Sequence, residues 1–175
     1  MASRNQIIDT LRTAYAHVDN CLSHSSKDEH VVDVPAFSVD KTVPGFDVKN
    51  PSSKSFSLLQ IDGKMMKSDI DNIGQCDGAI VSDDEISFLE FKTNATTNKL
   101  NKECGKAESQ IFMTAMRISW ALRRFNLDFM SLAKIDGYVC FNTYPKSGAN
   151  YQNRQLRFLQ RTGIELFYCN EKTLH

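Results

Sequence analysis

The sequence predicts an α/β domain in which helices and strands interleave, and three observations carry that expectation. Ala79-Ile80-Val81 and Ile86-Ser87-Phe88-Leu89-Glu90-Phe91 are β-branched and aromatic runs on either side of the polar cluster Ser82-Asp83-Asp84-Glu85, the pattern of a hairpin. A long stretch from Lys102 to Phe125 comes next, with apolar residues at helical spacing,. Beyond it the chain reads strand, helix, strand, and the 175 residues suit a single domain over 1–175 with a sizeable core,.

In chain order, Ser3 is placed to cap a first helix whose apolar residues are Ile7, Leu11, Ala14, Tyr15, Val18 and Leu22, an amphipathic element of about five turns. Asp9 and His17 fall off its apolar stripe and are expected in solvent. Ser23 to His30 reads as a polar linker, and His24 and His30 within it as solvent-exposed rather than metal-binding,. Pro35, Pro44 and Pro51 punctuate the stretch from Val31 to Lys54, leaving Val31-Val32-Asp33-Val34 and Ala36-Phe37-Ser38-Val39 as short or edge strands,. Phe56 to Ile61 is a strand that ends at the turn signal Asp62-Gly63,.

The hairpin fixes its own pairing. With Asp83-Asp84 as the turn, Ser82 faces Glu85, Val81 faces Ile86, Ala79 faces Phe88 and Asp77 faces Glu90. Alternation puts Asp77, Ala79, Val81, Ile86, Phe88, Glu90 and Lys92 on one face, and Ile80, Leu89 and Phe91 on the other. Two carboxylates directly opposite each other on a sheet repel. A hard divalent cation would compensate, since it takes carboxylate and carbonyl oxygens as ligands. A solvated hairpin or an ion pair accounts for the same residues without a metal, although Leu89 and Phe91 around Glu90 argue for a buried strand where an unpaired charge is costly. Asp69 and Asp71 are rival acids, reaching the site only if the register shifts.

Past Lys92 the chain is polar as far as Lys99, and the helix of Lys102 to Phe125 buries Ile111, Ala115, Ile118, Ala121, Leu122 and Phe125,. Met113, Met116 and Trp120 broaden that surface. Ile135 to Phe141 is the next strand and Pro145-Lys146-Ser147-Gly148 a loop. Asn150 to Arg161 reads as a helix with Leu156 and Leu159 inward and Arg154, Arg157 and Arg161 on one face,. Gly163 closes it, and Ile164 to Cys169 is a last strand.

Asp77 with Glu90-Phe91-Lys92 on the neighbouring strand resembles the PD-(D/E)xK nuclease superfamily, and the element order over roughly residues 3–142 resembles its αβββαβ core. The resemblance implies a restriction-endonuclease-like fold, a mixed central sheet flanked by helices, here with an extra C-terminal helix and strand. It implies a Mg²⁺- or Mn²⁺-dependent hydrolysis of phosphodiester bonds, more often in DNA. Asp77 and Glu90 would be metal ligands with the backbone carbonyl of Phe91, and Lys92 would orient or deprotonate the attacking water and offset charge in the transition state. Some RecB-like members place a Gln on the helix after the motif, which makes Gln110 an accessory candidate. The Tyr expected four residues later is Thr114 here. With such a site, Arg154, Arg157 and Arg161 become candidates for gripping phosphates, and a homodimer would allow two strands to be cut. The alternative is a non-catalytic binding or scaffold subunit of the same fold.

Composition narrows the rest. Net charge is zero, but residues 1–98 hold 9 Lys/Arg against 15 Asp/Glu and residues 99–175 hold 12 against 6; a basic half is what a phosphate-backbone partner would use, and an uneven split also arises as a neutral accident of surface composition. The pI of about 6.9 is modest for a free-standing DNA binder. Five widely spaced cysteines without a Cys-x-x-Cys pair argue against a disulfide framework or structural zinc, and Cys76 reads as a small apolar strand residue. No Gly-rich phosphate loop, nucleophile elbow or His-containing triad points to a small-molecule enzyme. No apolar run approaches the roughly 20 residues of a membrane span, and the N-terminal residues lack a signal-peptide core. A cytoplasmic location without membrane partners is therefore expected.

Overall fold

A computed structural model describes residues 2–32, 44–66, 74–93, 95–142 and 149–174. The elements are α1 (Arg4–Ala14), β1 (Leu22–Ser25), β2 (Glu29–Val31), β3 (Phe46–Lys49), β4 (Phe56–Gln60), β5 (Gly78–Ser82), β6 (Glu85–Phe91), α2 (Leu100–Arg123), α3 (Phe129–Leu132), β7 (Lys134–Cys140), α4 (Ala149–Thr162), β8 (Glu165–Phe167) and β9 (Glu171–Thr173). The protein is thus mixed α/β.

Ser3 caps α1 through a capping box with Gln6, which satisfies two backbone donors reciprocally. The helix has 11 residues and not the expected five turns. Val18 lies in a separate 3₁₀ turn and Leu22 opens β1. Both residues kept helical spacing because each meets the same core from a different element. The segment expected to be a polar linker instead forms β1 and part of β2, with polar side chains on an edge strand that pairs antiparallel with β4. Ala36 to Val39, Asp69, Asp71 and the loop Pro145 to Gly148 lie outside the described residues.

The main sheet has the order β1-β4-β5-β6-β7-β8. Pairing is antiparallel from β1 to β6 and parallel from β6 to β8. The hairpin register is the expected one, with Ser82 opposite Glu85, Val81 opposite Ile86 and Ala79 opposite Phe88. Its turn residue Asp84 has φ 63°, a left-handed conformation that Asp tolerates better than most residues. Asp83 Oδ1 accepts the Arg4 amide at 2.7 Å and the Ala2 carbonyl accepts the Asp84 amide at 2.8 Å. The turn therefore anchors the start of α1.

Alternation sorts the core into two layers. Ala79, Val81, Ile86 and Phe88 pack with Ile7, Ile8 and Leu11 of α1 and Ile111, Ala115, Ile118 and Leu122 of α2. Ile80, Leu89 and Phe91 face the other way, onto Val31, Phe46 and Val48. Helices thus cover one face of the main sheet, while the other, contrary to the expectation of helical flanks, is covered by a second sheet of order β2-β3-β9. Gly137 of β7 permits close approach of α2, since a Cβ there would come within 2.9 Å of Ile111 Cγ2.

On the helices, Phe125 and Trp120 are exposed and Ala121 half-buried, because the inward stripe of α2 ends at Leu122. On α4 the inward residue is Phe158, not Leu156 or Leu159, both of which are exposed. The helix is rotated so that Gln155 can donate to the Leu166 carbonyl at 2.8 Å.

Lys172 of β9 bridges the two sheets. It is buried, and its Nζ lies 2.8 Å from Glu85 Oε2, 3.1 Å from Asp136 Oδ2 and 3.4 Å from the Tyr138 hydroxyl. Burial, partly offset by Lys172, pushes the Asp136 carboxyl up to about 6. Burial is the largest influence on Glu85 and opposes its ionisation, but Lys172, together with Asp136 and Lys134, holds that carboxyl below its ordinary value. Because the Asp136 pKa is higher in the folded protein than in the unfolded chain, its proton contributes stability that is full below about 3.9 and lost as pH rises through about 6,. Glu85 acts in the opposite sense, its contribution being lost as pH falls below the ordinary carboxylate range. Between pH 5 and 7.5, urea midpoints of the wild type should fall relative to those of Asp136→Asn. Parallel pH profiles for the two proteins would contradict this assignment.

Candidate active site

β6 delivers Glu90 and, just past its end, Lys92 to the helix-covered face, because residues two apart on a strand share a face. Glu90 is 1% exposed, which rules out a solvated hairpin. Lys92, its side chain 14% exposed, forms an ion pair with Glu90 Oε1. Nearly all of this pair is desolvated, so each charge depends on the other.

Across from it, α2 contributes Gln110, whose Oε1 accepts from Lys92 Nζ at 2.9 Å. Gln110 Nε2 in turn donates to the Gln75 carbonyl at 3.0 Å. Gly74 lets the chain lie against this side chain, since a Cβ there would come within 3.1 Å of Gln110 Cγ. Thr114, standing where the resemblance expected a Tyr, accepts the Cys76 amide at 2.9 Å on its hydroxyl and donates that hydroxyl to the Gln110 carbonyl at 2.8 Å. Two residues of α2 therefore hold the segment that leads to Asp77.

The ladder ends at Gly78 opposite Leu89, and one further step sets Asp77 opposite Glu90. Asp77 is half-buried, and its Oδ2 accepts the Phe91 amide at 2.6 Å. Its carbonyl accepts the amides of Ile61 at 3.0 Å and Asp62 at 3.3 Å. The Asp77 carboxylate is thereby tied to the strand that carries Glu90. Asp77, Glu90, Phe91, Lys92 and Gln110 are all brought to one end of the hairpin.

The three arginines belong to α4. Arg154 is held by Glu108, with Nη2 at 2.8 Å and Nε at 2.8 Å from Oε1, and Tyr168 donates to the same oxygen at 2.5 Å. Arg157 and Arg161 are exposed on α4. Cys76 is fully buried and its thiol is pushed well above the ordinary range, first by burial, as befits a packing residue and not a nucleophile. His24 is exposed as expected, with Nδ1 2.7 Å from Ser57 Oγ. His30 is half-buried against Asp47 at 2.7 Å, because β2 carries it into the second sheet.

Gln75 and Thr114 were missed from sequence. Gln75 is buried, donates Nε2 to the Met66 carbonyl at 3.3 Å and accepts from Arg117 Nη1 at 3.1 Å. Its neighbour Cys76-Asp77 was the only local signal, and nothing in the residue itself announced a supporting role.

As a donor set, two carboxylates and a main-chain carbonyl are hard oxygens that suit Mg²⁺ or Mn²⁺. Among the described residues no group of three or more His, Cys, Asp or Glu side chains is placed to hold a metal. So few protein donors suit an ion that keeps several of its waters. Among the described residues no helix is long and apolar enough to cross a membrane. Comparison with known proteins gives no family model, curated protein or solved structure that matches the chain.

Proposed function

We propose that the protein is a metal-dependent nuclease of the restriction-endonuclease-like kind that hydrolyses phosphodiester bonds, with DNA as the substrate. The observation that carries this is a buried carboxylate, Glu90, placed two residues from Lys92 on one strand end and opposite Asp77 on the next. The sheet order β4-β5-β6-β7, antiparallel twice and then parallel, with α1 ahead of it and α2 between β6 and β7 in the chain, supports an αβββαβ core.

Asp77, Glu90 and the Phe91 carbonyl would hold a Mg²⁺ or Mn²⁺ ion, which supplies an acidified water and Lewis-acid stabilisation of the phosphoryl oxygens. Lys92 brings a fixed positive charge to the same space, where charge builds up on a phosphoryl group in the transition state. Gln110 and Glu90 hold its ammonium from two sides, so little reorganisation is needed. The Asp77 hydrogen bond to the Phe91 amide keeps the two strand ends in register.

A second reading, a non-catalytic binding or scaffold subunit, is favoured by one observation: the Glu90–Lys92 pair neutralises itself. Calorimetric titration separates the two. The nuclease reading expects saturable Mn²⁺ and Mg²⁺ binding in the wild type that is lost in Asp77→Asn and in Glu90→Gln. No binding by the wild type, with or without a short DNA duplex present, would leave only the scaffold reading.

A further inference from the structure

We infer that the groove along the first half of α2 grips the phosphodiester backbone of the nucleic acid, with Lys102 and Lys106 as its phosphate contacts; this rests on the nuclease reading of the adjoining site. The groove is lined by Gly74, Lys102, Gly105, Lys106, Ser109 and Gln110, with Met113 at its end. Lys102 and Lys106 are one helical turn apart, and Ser109 and Gln110 continue the same face. Gln110 is the shared wall, since its Oε1 also holds Lys92 Nζ at 2.9 Å. A strand lying in the groove therefore runs directly into the site.

The groove's charge is of one sign. Among the described residues no acid lines it, while two ammonium groups and a hydroxyl donor do. Glu108, two residues beyond Lys106, is taken up by Arg154 and Tyr168. Glu103 pairs with Lys106 at 3.0 Å, the lysine side chain 53% and the glutamate 18% exposed; a pair open to solvent on its lysine side is worth little, which leaves that ammonium able to turn to a phosphate. Arg154 Nη2 lies 3.6 Å from where a Cβ on Gly105 would stand, so that guanidinium borders the same space. An extended polyanion with evenly spaced charges fits this lining.

The test is fluorescence anisotropy with a labelled DNA duplex in EDTA, which removes any need for metal or cleavage, over a salt series of about 50 to 200 mM. The Lys102→Ala/Lys106→Ala protein should bind at least about tenfold more weakly, and its slope of log K against log salt should flatten by about 1.8, or about 0.9 per lost phosphate contact. Arg157→Ala/Arg161→Ala removes the same charge from α4 and should leave affinity and slope close to wild type. Unchanged binding in the lysine variant, or an equal loss in the arginine variant, would overturn the groove. A wild type that binds through the lysines yet cuts nothing with Mg²⁺ or Mn²⁺ would overturn the nuclease reading and leave the groove standing. Circular dichroism confirms that both variants are folded, as expected for exposed positions.

Discussion

Glu90→Gln should lower DNA cleavage in Mg²⁺ or Mn²⁺ by at least about a hundredfold, the scale on which removal of one charge-stabilising group acts. Gln keeps the shape of Glu, so the buried volume behind β6 stays filled and the change removes only a charge. The lost carboxylate leaves Lys92 with Gln110 and a partial opening to solvent, which limits the harm to stability. Lys92→Ala should cost cleavage about as much but is harsher on the fold. It takes the ion-pair partner from a carboxylate that is 1% exposed, and breaking a buried pair in that way costs about 3–5 kcal/mol. The measurement is initial cleavage rate beside a thermal unfolding curve for each variant. Cleavage retained by both folded variants would remove the proposed catalytic role of this pair.

Lys172→Met should be the most destabilising single change on the far side of the sheet, by about 3–5 kcal/mol at neutral pH. Met fills much of the lysine stem's volume, so the loss is electrostatic more than steric. Without Nζ, Glu85 and Asp136 face each other beside Tyr138, and the nearest remaining cation among the described residues is Lys134, 3.9 Å from Glu85. The penalty should shrink towards pH 5, because Asp136 already titrates near 6 and would take up a proton more readily still,. Urea unfolding of the two proteins at pH 5 and 7.5 measures this directly. A penalty below about 1 kcal/mol at both pH values would show that Lys172 behaves as a surface charge and not as the bridge between sheets.

The hairpin shows how far local pattern reaches. Its register, its turn and the assignment of Glu90 and Lys92 to the face of Ala79 and Phe88 all follow from a period of two and one polar turn, and the ladder agrees with them,. The Ser3 cap and most of α2 were legible for the same reason, since caps and 3.6-residue periodicity are written within a few residues. The end of α1 was not, because Val18 and Leu22 have helical spacing and nevertheless meet the core from elsewhere, Val18 buried from a 3₁₀ turn and Leu22 half-buried from a strand.

The remaining features depend on partners far away in sequence. Gln110 meets Lys92 across 18 residues, and Lys172 meets Asp136 across 36. The second sheet joins β3 to β9 from opposite ends of the chain, and its strands are three or four residues long, too short to show a period. On α4 several rotations would bury some apolar residue, and packing chose Phe158 over Leu156 and Leu159. Local sequence thus determined which side chains could share a face. Long-range packing decided which faces met, because the free energy that selects among them is released only when distant elements bury their surfaces together.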